Sequence, residues 1–181
     1  MQNSFKLILA FITALLVSSS LIAQQDYYDD LSQSEANKYY KEINTNGSIS
    51  DITAVPNTKV ESNKNISDPH FMLADFAERK IQKITDQLKA EKDYEIMIVC
   101  LNSIAGQDPR TWGTDLFNHW GIGDKDTENG LLILVVNDVH KVEFITGRGM
   151  ETVLTDAESF DIQREHMIPY FKKNDYATGI I

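Results

Sequence analysis

An α/β domain built on a small mixed sheet is what the sequence predicts, and three observations predict it. Two nearly continuous apolar runs of strand length, residues 94–101 and 131–136, bracket a segment of helical periodicity. Runs of that kind suit strands covered on both faces, as in a parallel sheet. A turn at 137–140 leads into 141–146, whose more alternating pattern suits an antiparallel hairpin partner at a sheet edge. Apolar stripes at three- and four-residue steps flank these runs, so helices are available to cover the sheet.

The chain opens with Lys6, an apolar run over 7–17, serines at 18–20 and then Ala23, the layout of a secretory signal cut after residue 23. The run is too short for a membrane span of about 20 apolar residues, and an uncleaved anchor is the alternative. Residues 24–54 are polar, rich in Asn, Ser, Asp and Tyr, and read as a mobile linker with one short helix near 31–43. The domain proper is expected over 55–181. Ser67-Asp68-Pro69 places Pro at a first helical position behind an N-cap residue and predicts a helix start. Its stripe is Ala74, Ala77, Ile81, Ile84 and Leu88. Asp108-Pro109 opens a second helix, with Trp112, Leu116 and Trp120 on one face and Gly121 as its stop. Thr155 and Glu158 have capping-box spacing and start a third helix, which Pro169 is expected to end. A fourth starts after Asn174, with Asp175 in its first turn, and reaches Ile181 uncapped, so the sequence reads as part of a longer protein.

The 17 Lys and Arg against 27 Asp and Glu give a formal charge of −10. Nucleic-acid binding, which runs on clustered cations, is disfavoured, and cations are the natural partners. Cys100 stands alone at the end of an apolar run, so no disulfide forms within the chain and the thiol reads as a small buried hydrophobe.

The order of elements places the chemistry. A strand–helix–strand crossover makes the first two apolar strands parallel, so the loop 121–130 enters the second at its N-terminal edge. The hairpin then returns to that edge and delivers Gly147-Arg148-Gly149-Met150-Glu151 beside the loop. Asp124, Asp126, Glu128 and Asn129 are therefore expected to face Glu151 and Asp156, while Asp138 lies at the far end of the hairpin. Two carboxylates ~4 Å apart repel by roughly 4 kcal/mol at an effective dielectric near 20. Several converging carboxylates call for an ion or a shared proton. Oxygen donors without His or Cys suit a hard cation, calcium before magnesium. The competing reading is a set of solvated loop charges, with Asp156 merely favouring a helix N-terminus.

Sharper motifs fail. The 124–135 stretch starts like an EF-hand, but its glycine is one place late at Gly130 and Val135 stands where the last acidic ligand belongs. Gly147-Arg148-Gly149 lacks the third glycine of a dinucleotide turn. The histidines show no zinc spacing, and no Gly-x-Ser-x-Gly elbow occurs. No catalytic residue is assigned. Arg148 is a candidate for holding an anionic substrate such as a phosphate, or it simply pairs with Glu151.

Trp120-Gly121-Ile122-Gly123, Glu128-Asn129-Gly130 with the apolar run behind it, Gly147-Arg148-Gly149-Met150-Glu151 through Thr155-Asp156-Ala157, and Ile168-Pro169-Tyr170-Phe171 resemble, in that order, the TPM domain family. That family is named for plant thylakoid, photosystem-associated and nematode receptor-modulating members. Val55-Pro56 and Ser67-Asp68-Pro69 resemble its entry, so the match spans about 55–181. The resemblance implies a three-layer α/β/α sandwich of Rossmann-like build. It also implies a divalent-cation site, usually discussed for calcium, and in plant relatives an acid phosphatase activity. Carried across, the family's acidic positions fall on Glu151 and Asp156, with Glu128 and Asn129 in the preceding loop; Asp124 and Asp126 lie in its more variable part. Bacterial relatives often continue into a further helix and a membrane span, which leaves anchoring open here.

Three functions are therefore carried forward. The first is an exported, extracytoplasmic calcium-binding module acting as an accessory or quality-control factor for membrane proteins. The second is a metal-assisted phosphatase, for which no general acid or nucleophile is evident. The third is a peptide-binding module whose acidic pocket takes a basic group without metal.

Overall fold

The computed structural model describes residues 47–181. The expected signal, the 31–43 helix and most of the expected linker lie outside the described residues. Among those described, no helix is long and apolar enough to cross a membrane.

Four strands form one mixed sheet in the order β1 (Ile66–Ser67), β2 (Glu95–Leu101), β3 (Gly130–Val136), β4 (Lys141–Thr146). β1, β2 and β3 run parallel, and β4 returns antiparallel with Leu131 opposite Thr146. The side-chain alternation of a strand then sorts the apolar runs into two cores. Met97, Val99, Leu101, Leu132, Leu134 and Val136 face one way, against Trp112 and Leu116. Ile98, Cys100, Leu131, Val135, Val142 and Phe144 face the other, against Leu73, Ile81, Met167, Phe171 and Tyr176. This is the expected three-layer α/β/α sandwich, and it explains why β2 and β3 carry almost no polar residue.

The helices follow from local signals. After the short α1 (Thr58–Ser62), α2 (Asp75–Lys92) buries Ala77, Ile81 and Thr85 and ends at Asp93 in the left-handed conformation. α3 (Pro109–Trp120) has Asp108 as N-cap, accepting from Thr111 N, and Gly121 as its left-handed C-cap. Because α2 and α3 lie on opposite faces while β1, β2 and β3 step in one direction, their two crossovers have opposite hands. One of them is therefore the rare left-handed form.

The C-terminal third begins with a single turn, α4 (Arg148–Glu151), and continues into α5 (Asp156–Ile162), which carries the complete Thr155–Glu158 capping box. Pro169 does not end this helix as expected. A π-helical turn over Gln163–Met167 shifts the hydrogen-bond register, and Pro169 then sits in the first turn of α6 (Ile168–Phe171), where its missing N–H costs little. α7 (Tyr176–Ile180) follows, with Asp175 as its N-cap rather than within the first turn.

Two further expectations are corrected. Ser67-Asp68-Pro69 does not start a helix: Ile66 and Ser67 pair with Ile98 and Val99, and α2 begins only at Asp75. Asp68 does cap, but it accepts from Leu73 N at 2.7 Å and so closes a turn ahead of the helix. Ile49, read as part of a linker, is buried in the α3-side core with Val55, and Ile49 N donates to Ser103 O.

Candidate functional site

The N-terminal rim of the parallel strands is built by backbone contact between two loops. β4 ends beside the start of β3, so Gly147 N donates to Gly130 O and Gly149 N donates to Glu128 O, at 2.9 and 3.1 Å. A Cβ on Gly147 would lie 2.3 Å from Glu128 O. The glycines are thus required by the close approach of one chain to the other. Arg148, between them, projects outward with 86% of its side chain exposed, and its Nε stands 4.0 Å from Glu128 Oε2. Its partner is Glu128 rather than the expected Glu151, and so exposed a pair is worth about 0–1 kcal/mol.

Within the 121–130 loop the acidic residues divide by role. Asp124 Oδ1 accepts from the amides of Asp126 and Thr127 at 2.8 and 3.1 Å, which holds the Asp124 carboxyl below its ordinary range. Glu128 takes a positive φ, and its amide donates to Asp124 O. Asn129 turns inward, 6% exposed. Its Oδ1 accepts from Asp124 N at 2.8 Å, and its Nδ2 donates to the Asp93 carbonyl and to Asp93 Oδ2. The Asn129 amide therefore ties the loop to the end of α2 and positions the rim. Asp126, Glu151 and Asp156 are exposed and form no ion pair among the described residues.

Two rim groups escaped the sequence reading. Asp93 joins the site through Asn129, and Lys89 pairs with it at 2.7 Å. That hydrogen bond, together with the nearby charges of Asp93, Glu95 and Asp124, raises the Lys89 pKa. Both stand at the end of a helix, and no motif in the sequence singles them out.

The TPM domain family model matches residues 66–181. The chain belongs to the TPM domain family. Among solved structures, the N-terminal domain of a P. gingivalis protein is similar with TM-score 0.67 and 28% identity, covering 73% of this chain and 85% of that one. The N-terminal domain of the cg2496 protein from Corynebacterium glutamicum is similar in fold, with TM-score 0.53 and 23% identity over 66% of this chain and 74% of that one. No curated protein sequence matches the chain.

On this TPM domain the rim offers oxygen donors only, which suits a hard cation. No group of three or more His, Cys, Asp or Glu side chains among the described residues is arranged to hold a metal ion. Beside the rim lies a cavity of about 310 Å³ lined by Phe117, Ile122, Asp124, Lys125, Glu128 and Gly147. Its lining combines apolar side chains with charges of both signs.

Proposed function

We propose that this TPM domain takes up a divalent cation, calcium before magnesium, on the rim formed by Asp126, Glu128, Glu151 and Asp156, with the free oxygen of Asp124. In this reading Asn129 positions the loop, and the module serves extracytoplasmic membrane proteins as an accessory or quality-control factor. The observation that supports it is the seating of 147–149 on the Thr127–Glu128 backbone, which brings the chain leading to Glu151 beside the acidic loop. Lys89 and Arg148 offset part of this charge, whereas Asp126, Glu151 and Asp156 have no cationic partner among the described residues. An ion binding here would neutralise them. Sites assembled from mobile carboxylates bind calcium at about 10⁻⁴–10⁻³ M, as extracellular modules do.

A phosphatase is the second reading, favoured by Lys125 at the cavity and the exposed Arg148 beside it, both able to face an anion. If a metal is bound there, it supplies Lewis acidity; Arg148 would orient the phosphate.

Backbone amide shifts of the full chain, followed during calcium and magnesium titration, test the first reading. Loop and α4 amides should move at millimolar calcium, and Glu151→Gln with Asp156→Asn should weaken that response at least ~10-fold. An unchanged response in the double variant refutes the assignment. Hydrolysis of p-nitrophenyl phosphate that depends on calcium and is lost in the double variant would favour the enzyme. Silence of the rim to both ions would favour a peptide-binding module.

A further inference from the structure

α2 carries a feature the rim does not use. It is an outward stripe of the opposite sign to the protein as a whole. At about 100° per residue, Arg79, Lys80 and Lys83 fall within about 60° of Phe76, on the side away from the buried Ile81 and Thr85. Between Phe76 and Gln87 no acidic residue falls in that arc. Asp86, on the flank, is held by Gln82 Nε2 and Asn65 Nδ2 at 2.9 and 3.0 Å. None of Arg79, Lys80 and Lys83 forms an ion pair among the described residues.

In a chain of net charge −10 such a stripe is a local reversal, and a merely solvated face would not place Phe76 at its centre, 63% exposed. Ile84, 38% exposed, lies about two turns further on beside the stripe. An aromatic ring exposed in the first turn of a helix, followed on the same side by three long cationic side chains, matches a planar anionic surface. The ring enters the boundary between headgroup and acyl chain, and the lysine stems lie along it with their ammonium groups at the phosphates.

We propose that the outer face of α2 docks the domain on an anionic phospholipid surface through Phe76, Arg79, Lys80 and Lys83. Each cation near such a surface strengthens binding about 5-fold, so three give roughly 100-fold. The cations of this stripe precede the C-terminal end of α2, where Lys89 and Asp93 belong to the rim.

The test is cosedimentation of the full chain with phosphatidylcholine vesicles and with vesicles containing one third phosphatidylglycerol. Any binding by residues outside the domain is common to all variants, so the change in the ratio from wild type to variant isolates α2. The wild type should prefer the anionic vesicles, and the preference should vanish near 1 M salt, where the Debye length is about 3 Å. Lys80→Glu with Lys83→Glu should cut anionic partitioning at least ~30-fold. Lys80→Gln with Lys83→Gln, which adds no repulsion, should give an intermediate loss. Phe76→Ser should weaken binding about 10-fold. Equal ratios for wild type and charge variants, in chains with unchanged circular dichroism, would overturn the proposal. So would a preference for polyglutamate over the vesicles, lost in the same variants, which would assign the face to an acidic protein.

Discussion

The carbonyl oxygen of Thr127 lies 1.9 Å from where a Cβ on Gly149 would stand. No side chain fits between them, so the hairpin's return and the acidic loop are in backbone contact. Gly149→Ala should separate them and cost about 1–3 kcal/mol by overpacking. The check is a lower midpoint in thermal unfolding, together with altered amide shifts at Glu128 and Asn129. If the proposed cation reading holds, the same variant should bind calcium more weakly although no carboxylate has changed.

Asn129 is the second pin of the rim. Its amide bridges Asp124 N and the Asp93 carbonyl from a buried position, so Asn129→Ala leaves both groups without their partner. A loss of about 1–3 kcal/mol is expected in urea unfolding. Asn129→Asp should be worse, because a carboxylate cannot donate to the Asp93 carbonyl and would stand close to the Asp93 side chain.

Much of this was legible because the deciding signals are local. The apolar runs of β2 and β3, the Asp108-Pro109 start, the Gly121 stop and the Thr155–Glu158 box each act within a few residues, and each appears where expected. β1 escaped because two residues have no period, and because Ser67-Asp68-Pro69 imitates a helix start while Asp68 closes a turn onto Leu73. Ile49 and Val55 are single apolar residues in a polar stretch, and only the tertiary fold reveals that they are buried. At the rim, strand topology was enough to bring Gly147–Gly149 to Glu128. It was not enough to show which way a loop side chain turns: the backbone of 124–129 directs Asn129 inward and engages Asp124 with its own amides.

Leu134 is fully buried among Met97, Val99, Trp112 and Leu116 in the α3-side core, at the centre of the sheet. Leu134→Ala should cost about 2–5 kcal/mol, the range for a large core truncation. Denaturant midpoints should shift accordingly with an unchanged slope.

Asp68 gives the fold a dependence on pH. Its Oδ2 accepts from Leu73 N, while Oδ1 is buried with no hydrogen-bond partner. Burial raises its pKa from 3.8 to about 6, against the amides of Met72 and Leu73, which pull it down. The fold thus favours the protonated acid. Its contribution is fully present below about 3.8 and is lost as pH rises towards 6, amounting to about 3 kcal/mol for a shift of roughly two units. His70 works in the opposite sense: burial lowers its pKa, so its contribution is present above its ordinary value of 6.5 and is lost as pH falls. Comparing wild type with Asp68→Asn cancels the histidine. Urea unfolding at pH 4.5 and pH 7 should show the wild type losing stability relative to the variant as pH rises, by about 2 kcal/mol across that interval. Parallel pH profiles for the two proteins would mean that the Asp68 carboxyl is not held protonated by its surroundings.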